Sequence, residues 1–129
     1  MAHPHEDLVR RGYDAFARGD TGTLREVFDR GIVWHLPGRS LIAGDYDGVD
    51  AVLGLFGRTM ELTAGTFRAD LHEVVADDQH TVGLHVGRGE RGGRTLEDRE
   101  VLVCHVRDGR IAEVWQYVEN QYAYDEFFS

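Results

Sequence analysis

The chain has no lysine: all 14 of its basic residues are arginine. Schiff-base catalysis through a lysine amine is therefore excluded. It has one cysteine, Cys104, so no disulfide can close within the chain, and a reducing, cytoplasmic setting is expected. No apolar run is long enough to read as a signal peptide or a membrane span. Positive charge is scarce, with 14 arginines against 23 acidic residues and a net charge of −9. A general nucleic-acid binder needs a basic face for phosphates, so that class is not expected. Glycine-rich phosphate loops, a Gly-x-Ser-x-Gly turn and a Cys-His dyad pattern are all missing. No set of residues has the ligand spacing of a metal site, and His3-Pro4-His5 offers weak ligation at most. The expectation is a protein with no cofactor and no metal.

What is present is the composition of a soluble globular protein, 129 residues long, 42% apolar and 29% charged. That length suits a single domain, 1–129, with one sizeable core. The leading Met1-Ala2-His3-Pro4-His5 is polar and is expected to fray. Glu6 to Arg18 has the spacing of an amphipathic helix, with Val9, Tyr13, Phe16 and Ala17 on one side and Gly19 as its stop. Asp20 or Thr21 can cap a second short helix that buries Leu24, Val27 and Phe28. Gly31 to Leu36 reads as a strand ended by Pro37-Gly38, and Gly44 to Gly48 as a polar loop. A third helix is expected from Val49 to about Leu62, with Val52, Leu55, Phe56, Thr59 and Met60 inward. Four strands then follow, ending with Leu96–Arg107 and Arg110–Val118. Gly92-Gly93 and Asp108-Gly109 are the signals of tight two-residue hairpin turns, which need positive φ at their centres. With those turns, Val82 pairs with Val103, Leu84 with Val101 and Val86 with Arg99. His105 pairs with Ala112, Val103 with Val114 and Val101 with Gln116. The face holding Val82, Leu84, Val101, Val103, His105, Val114 and Gln116 is the more apolar and reads as the core side. The opposite face holds His85, Glu100, Leu102, Cys104, Glu113, Trp115 and Tyr117 and reads as a partner surface. A bulge would exchange the two, because a one-residue slip reverses every side chain. The tail, Asn120 to Ser129, is aromatic and expected to dock onto the body. Helices segregated from a strand run define an α+β class.

Several stretches carry a family resemblance. They are Tyr13-Asp14-Ala15-Phe16-Ala17-Arg18-Gly19-Asp20 with Leu24 and Phe28, and Val33-Trp34-His35-Leu36-Pro37-Gly38. Gly44-Asp45-Tyr46-Asp47-Gly48 and the segment Val106 to Trp115 complete the set. Together they resemble the nuclear-transport-factor-2-like superfamily, in particular its SnoaL-like and ketosteroid-isomerase-like members. The resemblance implies an NTF2-like cone, about three helices on a strongly curved, mixed, mainly antiparallel sheet, around an apolar pocket. It also implies a homodimer through the sheet. Members isomerise steroids, close polyketide rings, open epoxides, dehydrate small molecules, or only bind. Ketosteroid isomerase works with an aspartate base and a tyrosine–aspartic acid oxyanion hole. Those three positions fall here at Leu36, at Gly12 beside Tyr13, and near Leu102 or Val103. None matches, so that machinery is not expected. Asp98-Arg99-Glu100 does not reproduce the Asp-Arg-Asp set of the epoxide hydrolases. Glu119-Asn120 stands where the cyclases place an acidic base.

The candidate catalytic residues are the histidines His105 and His85. An imidazole titrates near neutrality, and His85 faces Glu100, a carboxylate able to orient it. The candidate ligand contacts are Tyr13, Trp34, Phe56, Met60, Gln116 and Asn120. Gln116 stands out as a lone amide in an apolar row that needs a hydrogen-bond partner. The expected activity is binding of a small apolar or carbonyl-containing molecule, with proton transfer of isomerase or cyclase type. The alternative is a non-catalytic binding or dimerisation domain of the same fold. The homodimer would use Leu102, Cys104, Trp115 and Tyr117. No nucleic-acid or membrane partner is expected.

Overall fold

A computed structural model describes residues 2–129; Met1 lies outside the described residues. The element order is α1 (Pro4–Arg18), α2 (Thr21–Val27), β1 (Phe28–Leu36), β2 (Gly44–Asp47) and α3 (Val49–Leu62). It continues with β3 (Arg68–Ala76), β4 (Thr81–Arg91), β5 (Arg94–Arg107), β6 (Arg110–Val118) and α4 (Gln121–Phe127). The strands form one curled sheet in the order β2-β1-β6-β5-β4-β3. Only β1 and β6 run parallel; the other neighbours are antiparallel. The expected α+β class holds, with four helices rather than three, because the aromatic tail folds into α4.

Local chemistry explains the helix ends. The His3 side chain accepts from the His5 N–H, Pro4 opens the first turn of α1, and Gly19 closes it in the left-handed region at φ 65°. The segment expected to fray is thus ordered from His3 onward, and His3 also meets Asp78 at 2.8 Å. Asp20 caps α2 through the Thr23 N–H. Asn120 caps α4 through the Ala123 N–H. Tyr124, Phe127 and Phe128 then bury against the body. Phe28 opens β1 instead of ending α2, and Gly44–Asp47, read as a loop, pairs with β1 as a short edge strand. On α1, Ala17 faces solvent rather than the core.

The hairpins decide which side chains face inward. Gly92 (φ 56°) and Gly93 (φ 78°) make the β4–β5 turn. The resulting pairs Val82–Val103, Leu84–Val101 and Val86–Arg99 are those the sequence implies. Asp108 (φ 52°) and Gly109 (φ 75°) make the β5–β6 turn. There the register shifts: Val106 pairs with Ile111, but His105 pairs with Glu113, leaving Ala112 as the extra residue of a bulge. Cys104 therefore meets Val114, Val103 meets Trp115 and Leu102 meets Gln116.

The helices cover the face that carries Thr81, Gly83, His85 and Gly87 from β4, with Asp98, Glu100, Leu102 and Cys104 from β5, all buried. The interior is thus the opposite of the one expected. Val82, Leu84, Val101, Val103 and His105 lie outside, half-buried. Leu102 and Cys104, expected at a dimer surface, are inside. Counting apolar residues fails here because the outer face is rich in valine. The inner face mixes glycine and ionisable residues with its leucines.

Candidate functional site

Helices and sheet enclose a cavity of about 100 Å³. This is room for roughly seven to ten water molecules, the scale of one small ring compound. Its walls are aromatic and aliphatic. Leu24, Phe28, Trp34, Leu36, Leu55 and Ile111 lie deep, and Phe16, Phe56, Phe67 and Ala69 are the partly exposed members of the lining. The rim is built by edge-on rings, with Phe16 5.1 Å from Phe56 and 6.1 Å from Phe67 between centroids. Among the lining residues there is no arginine, and the only carboxylate is Glu100.

One continuous polar line crosses this apolar space. The Tyr13 hydroxyl from α1 lies 2.6 Å from His85 Nδ1. His85 Nε2 lies 3.1 Å from Glu100 Oε1. Gln116 Nε2 donates to the same Oε1 at 2.9 Å and approaches the Tyr124 hydroxyl at 3.4 Å. Trp34 Nε1 donates to Gln116 Oε1 at 3.0 Å. A carboxylate can only accept, so the His85 proton belongs on Nε2. In the neutral ring, Nδ1 then accepts from the Tyr13 hydroxyl. Burial, together with the neighbouring Cys104 and Glu100, pushes the Tyr13 phenol well above its ordinary pKa, which keeps it a neutral donor. Burial does the same to Tyr124, with Glu100 adding to it, and pushes the Cys104 thiol up to about 12.

Two glycines make the line possible. Gly83 and Gly87 flank His85 on the inner face of β4. A Cβ at Gly83 would sit 2.6 Å from the Tyr13 hydroxyl, and one at Gly87 would overlap Glu100 Oε2. Glycine at both positions lets a phenol and a carboxylate lie flat on the strand beside the imidazole.

The structure gathers five of the residues singled out from the sequence, Tyr13, Trp34, Phe56, His85 and Gln116, around the cavity. Gln116 is fully used in holding Trp34, Glu100 and Tyr124 together. Three candidates lie elsewhere. His105 shares the face of Val101 and Val103, which turns outward, and its ring is 4.8 Å from those of both Trp115 and His80. Met60 is half-buried on α3 away from the cavity lining, and Asn120 is a helix cap. The sequence names Glu100 only as the orienter of His85, and it does not single out Asp98, Tyr124, Phe16 or Phe67 as site residues. The available signal was Gly83-x-His85-x-Gly87 in a strand whose partner carries Glu100 and Asp98 directly opposite His85 and Gly87.

A curled sheet closed by helices over an aromatic cavity, with a buried phenol–imidazole–carboxylate line, defines a small α+β cone with a hollow interior. Comparison with known proteins gives the family: residues 9–114 match the SnoaL-like domain, and the chain belongs to that family. It is similar to Bal32a from a soil-derived mobile gene cassette, at 42% identity and a TM-score of 0.96, over 99% of this chain and 98% of that one. An NTF2-like protein from Burkholderia xenovorans shares the fold at 22% identity and a TM-score of 0.85, over 100% and 98% of the two chains. IdmH from Streptomyces antibioticus, a proposed polyketide cyclase, is 28% identical with a TM-score of 0.75, over 92% of this chain and 93% of that one.

Proposed function

We propose that the chain binds a small, uncharged, carbonyl-containing molecule in this cavity and moves a proton within it without a cofactor, as an isomerase or cyclase does. The observation that carries the reading is the Tyr13–His85–Glu100 line in an otherwise apolar space. The Tyr13 oxygen can take a proton from the ligand as its own proton passes to His85 Nδ1. The imidazolium so formed keeps one N–H on Tyr13 and the other on the Glu100 carboxylate, which stabilises its charge. Reversal of the transfer onto a different ligand atom completes an isomerisation with no net gain or loss of protons. With no arginine in the walls and Glu100 among them, an anionic ligand finds no counter-charge, so a neutral one is favoured. The likeness to IdmH, itself a proposed polyketide cyclase, adds support for ring-forming or enolising chemistry.

The test uses cyclic ketones, β,γ-enones and 1,3-diketones in deuterated buffer, with exchange and double-bond migration followed by NMR. The expected result is catalysed exchange with at least one probe, reduced about 100-fold or more in His85→Gln, the scale of general acid–base catalysis. Probes that bind wild type and His85→Gln equally well, with no exchange in either, would make the protein a passive binder.

We also propose a homodimer through the outer sheet face in a reducing compartment. Half-buried Trp115 and His105, with Tyr117 at 55% and Val75 at 53% exposure, leave apolar area there that a second copy would cover. Sedimentation of the protein at tens of micromolar should give twice the chain mass and should revert to the single mass in Trp115→Glu. A wild-type monomer would refute the dimer.

A further inference from the structure

Glu100 accepts two hydrogen bonds on Oε1 and none on Oε2. Asp98, the next inner-face residue of β5, has the same imbalance. Its Oδ1 accepts from the Asn120 N–H at 3.3 Å, while Oδ2 has no partner among the described residues. Both side chains belong to deeply buried residues, at 4% exposure for Asp98 and 2% for Glu100. The two side chains are neighbours on the inner face of the sheet. Glu100 Oε2 leans over Gly87, and Gly87 is the residue directly across the ladder from Asp98. An unpaired carboxylate oxygen out of water is costly, and two of them side by side cost more. A single proton held between them removes both penalties, as in any pair of carboxylates that cannot both ionise.

We infer that Asp98 is a positioning residue whose protonated carboxyl donates to Glu100 Oε2, holding the other oxygen of Glu100 on His85. The inference deepens the proton-transfer reading and rests on it for its consequence in turnover. Asp98 does not line the cavity, so it acts through Glu100. The groups facing the pair are His85 on β4, Gln116 on β6, Tyr13 on α1, Glu119 and Asn120 between β6 and α4, and Tyr124 and Asp125 in α4. None is a fixed cation. The inward arginine of β4, Arg91, lies past Gly89 in a separate groove beside Thr63 and Thr66. Burial first, and then the charge of Glu100, push the Asp98 carboxyl up to about 6. Above that pH the shared proton leaves and the two carboxylates repel.

Two measurements test this on the full chain. The first needs no substrate: the carboxyl ¹³C shift of Asp98 is titrated in wild type and in Glu100→Gln. Loss of the shared-proton partner should lower the Asp98 midpoint by about one pH unit or more. An unchanged midpoint would mean that burial alone raises it, and would overturn the inference even if the protein is an enzyme. The second is the pH profile of probe exchange in Asp98→Asn and Asp98→Leu. Asparagine keeps a neutral donor, so Asp98→Asn should retain turnover and lose the decline that wild type shows as pH rises through about 6. Asp98→Leu should lose turnover across the range. Equal profiles for wild type and Asp98→Asn would refute the positioning role. If no variant, nor wild type, turns over any probe, the NMR midpoint still decides the shared proton.

Discussion

Replacing Gly83 by alanine should destabilise the protein, although the opposite sign is expected from propensity alone. Glycine inside a strand is roughly 0.5–1 kcal/mol worse than alanine, because it loses more chain entropy on folding. Gly83 is an ordinary strand residue without positive φ, so that gain is in principle open to it. The obstacle is Tyr13. An alanine Cβ at position 83 would stand 2.6 Å from the phenol oxygen, 2.8 Å from Cε2 and 3.1 Å from Cζ. The side chain is anchored at its base on α1 and at its tip by the 2.6 Å contact with His85, so relief requires moving the phenol off the imidazole. Overpacking of this kind costs about 1–3 kcal/mol. Set against the propensity gain, the expected net loss is about 1–2 kcal/mol. Urea unfolding of Gly83→Ala against wild type measures it as a lower midpoint at unchanged slope. Gly54 on α3 is the control: it is exposed and a Cβ there meets nothing within 4 Å. Gly54→Ala should therefore stabilise by about 0.5–1 kcal/mol. The decisive arm is the double-mutant cycle. In a Tyr13→Ala background the clash is gone, and Gly83→Ala should become neutral or stabilising. If Gly83→Ala is as stable as wild type, or keeps its full penalty without Tyr13, the close packing of phenol on strand is not what the glycine serves.

Two further outcomes follow from the burial of ionisable groups. Burial and the charge of Glu100 raise the Asp98 carboxyl from its ordinary 3.8 to about 6, so the folded state binds the proton more tightly and wild-type stability falls as pH rises between those values. Asp98→Asn should remove that slope and be the more stable by about 2–3 kcal/mol at pH 7, with little difference below pH 4, in paired unfolding curves; equal curves at both pH values would refute it. Cys104, 2% exposed and with its thiol raised to about 12, should resist a thiol reagent at pH 8 in the native state and react at once in denaturant, and rapid native labelling would contradict its place in the cavity wall.

The parts of the fold legible in sequence are those fixed by local chemistry. The span of α3 matches because Val49–Leu62 has helical spacing strong enough to outweigh two interior glycines, and no proline. The β4–β5 register matches because Gly92-Gly93 admits the tight turn that sets it. Which face of the sheet turns inward is a different kind of fact. Alternation defines two faces, and Val82, Leu84, Val101 and Val103 made the outer one more apolar than the inner. The bulge at Ala112 then moved Trp115 and Gln116 relative to β5, and nothing local to Arg110–Glu113 announces it. His105 misses the cavity for a related reason: it stands in the valine row of β5 with Val101 and Val103, and that row faces outward. Glu100 is legible only as the orienter of His85, and Asp98 not at all, because a charged residue in a strand reads as surface. Only in three dimensions does Gly87, opposite Asp98 and beneath Glu100, become space for a buried carboxylate.

That interior argues for chemistry or binding rather than for stability. A phenol, an imidazole, two carboxylates and an amide have been removed from water in the middle of a small domain. Replacing such a set by apolar side chains of equal volume would stabilise as well or better, since desolvation offsets most of what paired polar groups return. Hydrogen bonds satisfy Gln116, Trp34, His85 and one oxygen of Glu100, yet Glu100 Oε2 and Asp98 Oδ2 remain without partners among the described residues. A purely structural core has no use for that residue of unmet polarity beside an apolar cavity. The site proposed above, which holds a neutral phenol against a ligand and passes a proton behind it to an imidazole held by a carboxylate, would use every one of these groups. It also needs Gly83 and Gly87 to be bare. The same strand that lost its side chains to make the site leaves its valines outward, where a second copy of the sheet would find them.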